Sequence, residues 1–441
     1  MKSKKEKEEI RALAGTAWAM SWPMLLVMLF EFFISLTDVY IAGKLGREYQ
    51  AAVGFVSQIY FIFVVFGNAF TIGTVSVISR QFFNDPAEFR ESVGSILKAL
   101  AAAGLILGLL GVLLSPLVIS LVDVPGEVKG PAAPLIEIYA ASLVFHFILI
   151  NTNGILRSGE GVKKSMVTMA LVAVSNIGLN FLFVFNTSLG FRGIALSTAV
   201  SVLAGSLLNL FFIRKHLPGR SRVNRQTLRR VMHIGWPSGL VQVSWQIGSM
   251  TIFLIIAQLP AFQVEVMAAV TNGLRIESAI FLPAFAFNMA GAAVVGNLMG
   301  QGREDDAFKA GLITAAMALV IITALTILVV LNAETLAGFL SDNGKVVNEC
   351  LRYIYISMIS EPFMAWAVVT GGALNGAGDT RSVMRVVVLT TWLVRIPGAY
   401  IFAIFFDFGP QAIWWSMNAS ILVHCIFITR HYLKKEWLKG P

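Results

Sequence analysis

At 441 residues, 56% of them hydrophobic and only 13% charged, the chain is too apolar for a water-soluble domain of ordinary composition. Its formal net charge of +9 would suit nucleic acid if the basic residues formed one patch. They fall instead in short loops between apolar runs, so charge here reports membrane topology. Cys350 and Cys425, far apart in apolar surroundings, exclude a disulfide framework or a cysteine metal knuckle and read as packing residues.

Taken from the N-terminus, a basic start precedes an apolar segment that is too long for a signal-peptide core and has no small-residue cleavage site, so it is expected to stay in place. Apolar runs bounded by polar or Gly/Pro loops predict twelve spans, at about 18–43, 51–79, 92–122, 131–156, 165–186, 190–213, 232–259, 267–298, 307–331, 347–374, 382–406 and 410–430. All are of membrane-crossing length. Lys and Arg crowd the segments that lie on the N-terminal side of the membrane and are sparse in the alternate loops, so both termini are expected in the cytoplasm.

The first span, from Trp22 to Gly46, carries Glu31 and Asp38, seven residues and about two turns apart on one face. A charge at bilayer depth costs about 2.5–3.5 kcal/mol on insertion scales, so such acids face a protein interior or a polar cavity. Asp38 lies deeper. Glu31, nearer the cytoplasmic end, is either a relay or a structural charge. Enzyme motifs such as GxxxxGK[ST], HExxH and the nucleophile elbow are absent from the sequence, which leaves an ion gradient as the power source for any transport.

The longest loop, RKHLPGRSRVNRQTLRR at 214–230, divides the spans into two sets of six. It reads as a cytoplasmic linker with attraction to anionic lipid. The two sets repeat. WPMLLVMLFEFF at Trp22 answers WPSGLVQVSWQI at Trp236, IAGKLGREYQAAV at Ile41 answers IAQLPAFQVEVMAAV at Ile256, and GILRSGEGVKKSM at Gly154 answers GALNGAGDTRSVM at Gly372, at offsets of 214 to 218. Parallel repeats of six spans predict an all-α polytopic membrane protein, two pseudo-symmetric six-helix bundles around a central cleft, the layout of a secondary transporter. The expected divisions are a tail at 1–17, an N-lobe at 18–213, a linker at 214–231, a C-lobe at 232–430 and a tail at 431–441.

These pieces, together with FGNAFTIGTVSVISRQF and its counterpart FAFNMAGAAVVGNLMGQG, the LNGAGDT loop and WLVRIP at 392–397, resemble the multidrug and toxic compound extrusion (MATE) family of antiporters over about residues 18–430. The resemblance implies that the first-span acid, Asp38 here, is the coupling residue. It also implies an N-lobe site that draws on the fifth and sixth spans, at Asn176, Asn180 and Thr198. One branch of the family has an aspartate where this chain has Asn180, which leaves Asp38 as the main N-lobe carboxylate. Another branch has a seventh-span glutamate; Gln242, Trp245 and Gln246 stand in that stretch here, so a C-lobe cation site there is not expected.

From the residues alone, Asn176 and Asn180 are i, i+4 on one helical face. Their amides can point at Asp38, at an ion, or across helices as structural hydrogen bonds. Tyr139 offers either a hydroxyl or an interfacial anchor. In the C-lobe, Glu277 is taken as the remaining acid and Arg275 as its partner, with Arg395 as a second compensating cation. His146 and His424 read as satisfied packing residues.

The function expected from this sequence is secondary active efflux of organic, often cationic, compounds in exchange for H+ or Na+. No cofactor is expected beyond that ion, with a weak sodium site at Asp38, Asn176, Asn180 and Thr198 as the alternative to a proton. A monomer in the inner membrane, binding small organic molecules and no nucleic acid, completes the expectation. A lipid-linked oligosaccharide flippase would want several in-span cations for pyrophosphate, and only Arg275 and Arg395 are present. An intramembrane enzyme would need a close pair, and Glu31 and Asp38 are too widely spaced for a shared-proton dyad.

Overall fold

The computed structural model describes residues 2–121, 126–159, 161–218 and 223–439; positions 219–222 of the expected linker lie outside them. No strand occurs among the described residues. The helices are α1 (Lys2–Leu45), α2 (Arg47–Asn84), α3 (Pro86–Leu121), α4 (Gly126–Arg157), α5 (Val162–Phe185), α6 (Arg192–Ile213), α7 (Arg225–Ile256), α8 (Gln263–Gly300), α9 (Glu304–Leu331), a short α10 (Ala333–Leu340), α11 (Gly344–Ser357), α12 (Glu361–Ala377), α13 (Thr380–Thr390), α14 (Ile396–Tyr400) and α15 (Pro410–Leu433). Eleven described segments are long and apolar enough to cross a membrane, and α11 with α12 makes the twelfth.

Three departures from the expected spans have local causes. The first helix starts well before the expected span at 18, because the Lys, Glu, Ala and Leu that precede it are strong helix formers and continue α1 without a break. The tenth span is broken, α11 and α12 meeting at 54°. There Pro362 opens α12, and Asn418, whose side-chain oxygen accepts from Ser360 Oγ at 2.7 Å, donates through Nδ2 to the carbonyl of Ile356 and so satisfies a backbone group near the end of α11. The eleventh span, Thr380–Phe405, passes through π turns at Thr391–Arg395 and Ile401–Phe405, a geometry that recurs at functional positions.

The helices fall into two compact units, Leu26–Trp236 and Met1–Leu25 with Pro237–Pro441. The cuts come within a few residues of the two Trp-Pro pairs, not at the 214–231 loop. The first turns of α1 and α7 therefore each pack with the repeat they do not belong to in sequence. Leu13 joins a core with Val294, Leu298 and Ala310, and Lys309 bonds Glu9 at 2.8 Å. Likewise Val231 and Ile234 join Phe70, Val77 and Ile96. Gly235 and Gly73 permit this second contact, since a Cβ on either would run into the backbone carbonyl of Ala69 or Val231.

Candidate functional site

In the Leu26–Trp236 unit, Ile41 and Ala42 are fully buried against Ala52, Val53, Ile194 and Ala195, and that packing fixes the rotation of α1. Asp38, one turn earlier, is left 9% exposed and turned toward α5 and α6. Asn180 Nδ2 donates to Asp38 Oδ1 at 2.7 Å and to Asn176 Oδ1 at 3.1 Å. Asn176 Nδ2 in turn donates to Thr198 Oγ1 at 3.0 Å, and the Thr198 hydroxyl reaches Asp38 Oδ2 at 3.5 Å. Tyr139, 6% exposed, adjoins Thr198 and Asp38 with its hydroxyl. The i, i+4 spacing on α5 thus brings both amides to the carboxylate, and the inward Tyr139 is not an interfacial anchor.

The donor count has a consequence for ligands. Both amide hydrogens of Asn180 are spent, while its Oδ1 is buried with no hydrogen-bond partner. The cluster holds a single carboxylate, ringed by neutral donors and one spare acceptor. Behind it the Tyr139 ring packs on Tyr60 at 5.0 Å, and the Tyr60 hydroxyl bonds His146 Nδ1 at 2.8 Å, so His146 is a satisfied packing residue. Glu31 stands apart from the cluster, exposed on α1 and under the electrostatic influence of the buried Arg157 at the end of α4.

The second unit holds a different polar cluster. Glu277, 3% exposed, lies inside it, whereas Arg275 is exposed on the far side of α8. The expected Arg275–Glu277 pair does not form, because residues two apart on a helix project about 200° apart. Glu277 instead adjoins the hydroxyls of Tyr353 and Ser357 from α11 and is compensated by Arg395 in the first π turn. Arg395 Nε donates to Ser420 Oγ at 2.9 Å.

Beside Glu277 stands a second acid that the sequence reading missed: Glu361, 1% exposed, at the start of α12, with Oε2 unpartnered. Its signal was available as an acid in the middle of the 347–374 span. Glu349, buried on α11 and bonded to Trp414 Nε1 at 3.3 Å, was missed too. His424, near Arg395, is not satisfied as expected, since its Nε2 is buried without a partner. Gln242 is half-buried and Gln246 exposed, and neither bonds this cluster; the polar tie from α7 is Ser244, which accepts from Trp392 at 3.0 Å.

The arrangement is one of buried ionisable groups on membrane-spanning helices. A family model described as MatE matches residues 23–182 and 237–401. The Bacillus subtilis protein named "Uncharacterized transporter YisQ" is 23% identical, with 96% of this chain and 94% of that protein covered. The Thermotoga maritima "Probable multidrug resistance protein NorM" is 22% identical over 98% of this chain and 95% of its own. The Vibrio cholerae MATE transporter VcmN, in the crystal structure of its bent form, matches with a TM-score of 0.91 at 20% identity and 98% coverage of both chains. The family match takes in both repeats and more than half of the sequence, so the chain belongs to the MatE family and is a multi-pass membrane transporter, not an enzyme.

Proposed function

We propose that the protein exports organic, often cationic, compounds by alternating access in exchange for protons, as a monomer in the cytoplasmic membrane with both termini in the cytoplasm. The observation that carries this reading is Asp38, one buried carboxylate inside a ring of neutral donors. An organic cation favours its ionised form and a proton from outside displaces that cation, which is the exchange an antiporter needs. The name of the Thermotoga maritima relative, a multidrug resistance protein, agrees with export of varied compounds.

Protons are favoured over sodium by the oxygen count. A hard cation stripped of water wants about six oxygen ligands. Asn176 Oδ1 and Asp38 Oδ1 already accept from Asn180. Thr198 Oγ1 likewise accepts from Asn176, so each of these oxygens would have to share or give up a bond to join Asn180 Oδ1 around a sodium ion, with one negative charge in the set. A proton needs only the carboxylate. The test is reconstituted protein with a pH step or a sodium gradient imposed alone at fixed membrane potential. Substrate movement driven by the pH step supports the reading; movement driven by sodium at equal pH, and not by the pH step, overturns it.

A further inference from the structure

We infer that the unit of Met1–Leu25 and Pro237–Pro441 carries a second site, for an organic ammonium ion, in the corner where the eleventh span meets α15. Phe402, Phe408 and Trp415 build it, with Asp407 as the counter-charge. The site is separate from Asp38 and does not depend on which ion couples export. Trp414 is fully buried and bonded to Glu349, which fixes the rotation of α15. Trp415, the next residue and so about 100° around the helix, faces outward at 52% exposure. The buried Ser416 hydroxyl donates back to the Ala412 carbonyl at 2.7 Å. Gly398 brings the eleventh span against it, since a Cβ there would stand 3.1 Å from Ser416 Oγ.

The turn between the two helices aligns the rings. Phe406 N donates to the Ile401 carbonyl at 2.9 Å and Phe408 N to that of Phe402 at 3.0 Å, with Asp407 between them at a left-handed φ of 54°. The ring centroids of Phe402, Phe406 and Phe408 lie 5.9 to 6.3 Å apart, with planes within 26° of parallel. Phe402, Phe408 and Trp415 line a cavity of about 390 Å³, a size that small ligands occupy. The rest of its lining is Gln411, Ser416 and two alanines, and no basic side chain is among these described residues. Aromatic faces attract cations through the ring quadrupole, more strongly where water is excluded. Asp407 is exposed, forms no ion pair among the described residues and is the only carboxylate between Asp379 and Glu436.

The other repeat supplies an internal comparison. GPQAIWWSMNAS at Gly409 answers GFRGIALSTAVS at Gly190, and both glycines have positive φ, 71° and 51°. The corner is therefore closed in the same way in both halves. In the first half, however, Leu189 and Leu196 stand where Phe408 and Trp415 stand in the second, Ser188 where Asp407 stands, and Arg192 where Gln411 stands. Closing the turn thus requires neither the rings nor the acid. One half has an aliphatic corner with a cation, which repels an ammonium ion, and the other an aromatic corner with an acid, which attracts one.

The experiment is equilibrium dialysis of labelled benzyltrimethylammonium against the purified full-length protein in a neutral detergent. It is done in an Asp38→Asn background, so that the result does not depend on the coupling site; transport by the wild type tests that site separately. The expected result is one bound cation, with Trp415→Ala weakening it about tenfold. Asp407→Asn and Gln411→Arg each weaken it severalfold. Trp415→Phe keeps a ring face, and Phe427→Ala removes an exposed ring nearer the other end of α15; both stay within about threefold. Choline competes with the probe, and its neutral carbon isostere 3,3-dimethylbutan-1-ol does not. No binding in the Asp38→Asn protein, or unchanged binding in Trp415→Ala, would overturn the site. Equal competition by the alcohol would mean an apolar groove and overturn its assignment to a cation. Displacement by phosphatidylcholine and not by choline would overturn a ligand from the aqueous phase in favour of a lipid headgroup.

Discussion

Replacing Asp38 by Asn separates folding from coupling, because the two draw on different properties of the side chain. The amide oxygen of an asparagine can still accept from Asn180 at the position of Oδ1, and its amide nitrogen can donate to Thr198. What is lost is charge assistance. A hydrogen bond to a charged group is worth about 1.5–3 kcal/mol and a neutral one about 0.5–1.5 kcal/mol. The expected cost is therefore about 1 kcal/mol, offset by no longer burying a carboxylate, and the variant should insert and elute as the wild type does. Its transport should fail. With one proton exchanged per substrate, a pH step of two units is worth about 2.7 kcal/mol and supports a substrate ratio of about 100 across the membrane. Asp38→Asn has no proton to exchange there, so the ratio should fall to about 1 in proteoliposomes at zero potential. A correctly inserted Asp38→Asn protein that reaches the wild-type ratio would refute the assignment.

In the other unit, Glu277→Gln should cost about 1–3 kcal/mol of stability, because it removes the charge that compensates the half-buried Arg395. Glu361→Gln should cost under about 1 kcal/mol, since it relieves a repulsion between neighbouring acids; thermal unfolding in one detergent compares the two. Asp379, in the turn before α13, accepts from Ser382 N at 3.3 Å and from His431 Nε2 at 2.6 Å. Burial pushes its carboxyl up, but those bonds outweigh it and hold the group below its ordinary value. With the folded value depressed, its contribution is present above the unfolded carboxylate range and lost as pH falls through the folded value. Asp379→Asn should thus lower stability by about 1 kcal/mol at neutral pH, a difference that disappears below about pH 3.9 in thermal melts taken across pH. Gly235→Ala should cost about 3 kcal/mol or prevent folding, judged by expression and gel filtration, because the new methyl meets the Ala69 carbonyl; Gly15→Ala, in open space within α1, should instead stabilise by up to about 1 kcal/mol.

What the sequence makes legible and what it hides divide along the reach of a single helix. The order and number of spans follow from length and hydropathy, and Asn176 and Asn180 share a face because i, i+4 geometry holds on any helix. Asp38 stands out because an acid inside an apolar run is costly wherever the run packs. The failures involve relations between segments. Arg275 and Glu277 look like a pair along the chain, yet the helix turns them apart, and Glu277 finds its cation at Arg395, more than a hundred residues away. Glu361 was passed over because 347–374 reads as one uninterrupted span. The Pro362 after it, which starts a new helix at a 54° bend, is what sets that acid beside Glu277 at the break.

The same reasoning explains where the compact units divide. A basic, Pro-containing loop marks where the chain is free to leave one bundle, but packing decides where it does so. At α1 and α7 the first turns carry the small and apolar residues, Leu13 and Ala17, Val231 and Gly235, that fit the other repeat. The Trp-Pro pairs that announce the repeat in sequence are therefore also where each first helix passes from one hydrophobic core to another. The repeat and the compact units are built from the same helices cut at different places, and composition alone locates only the first of these cuts.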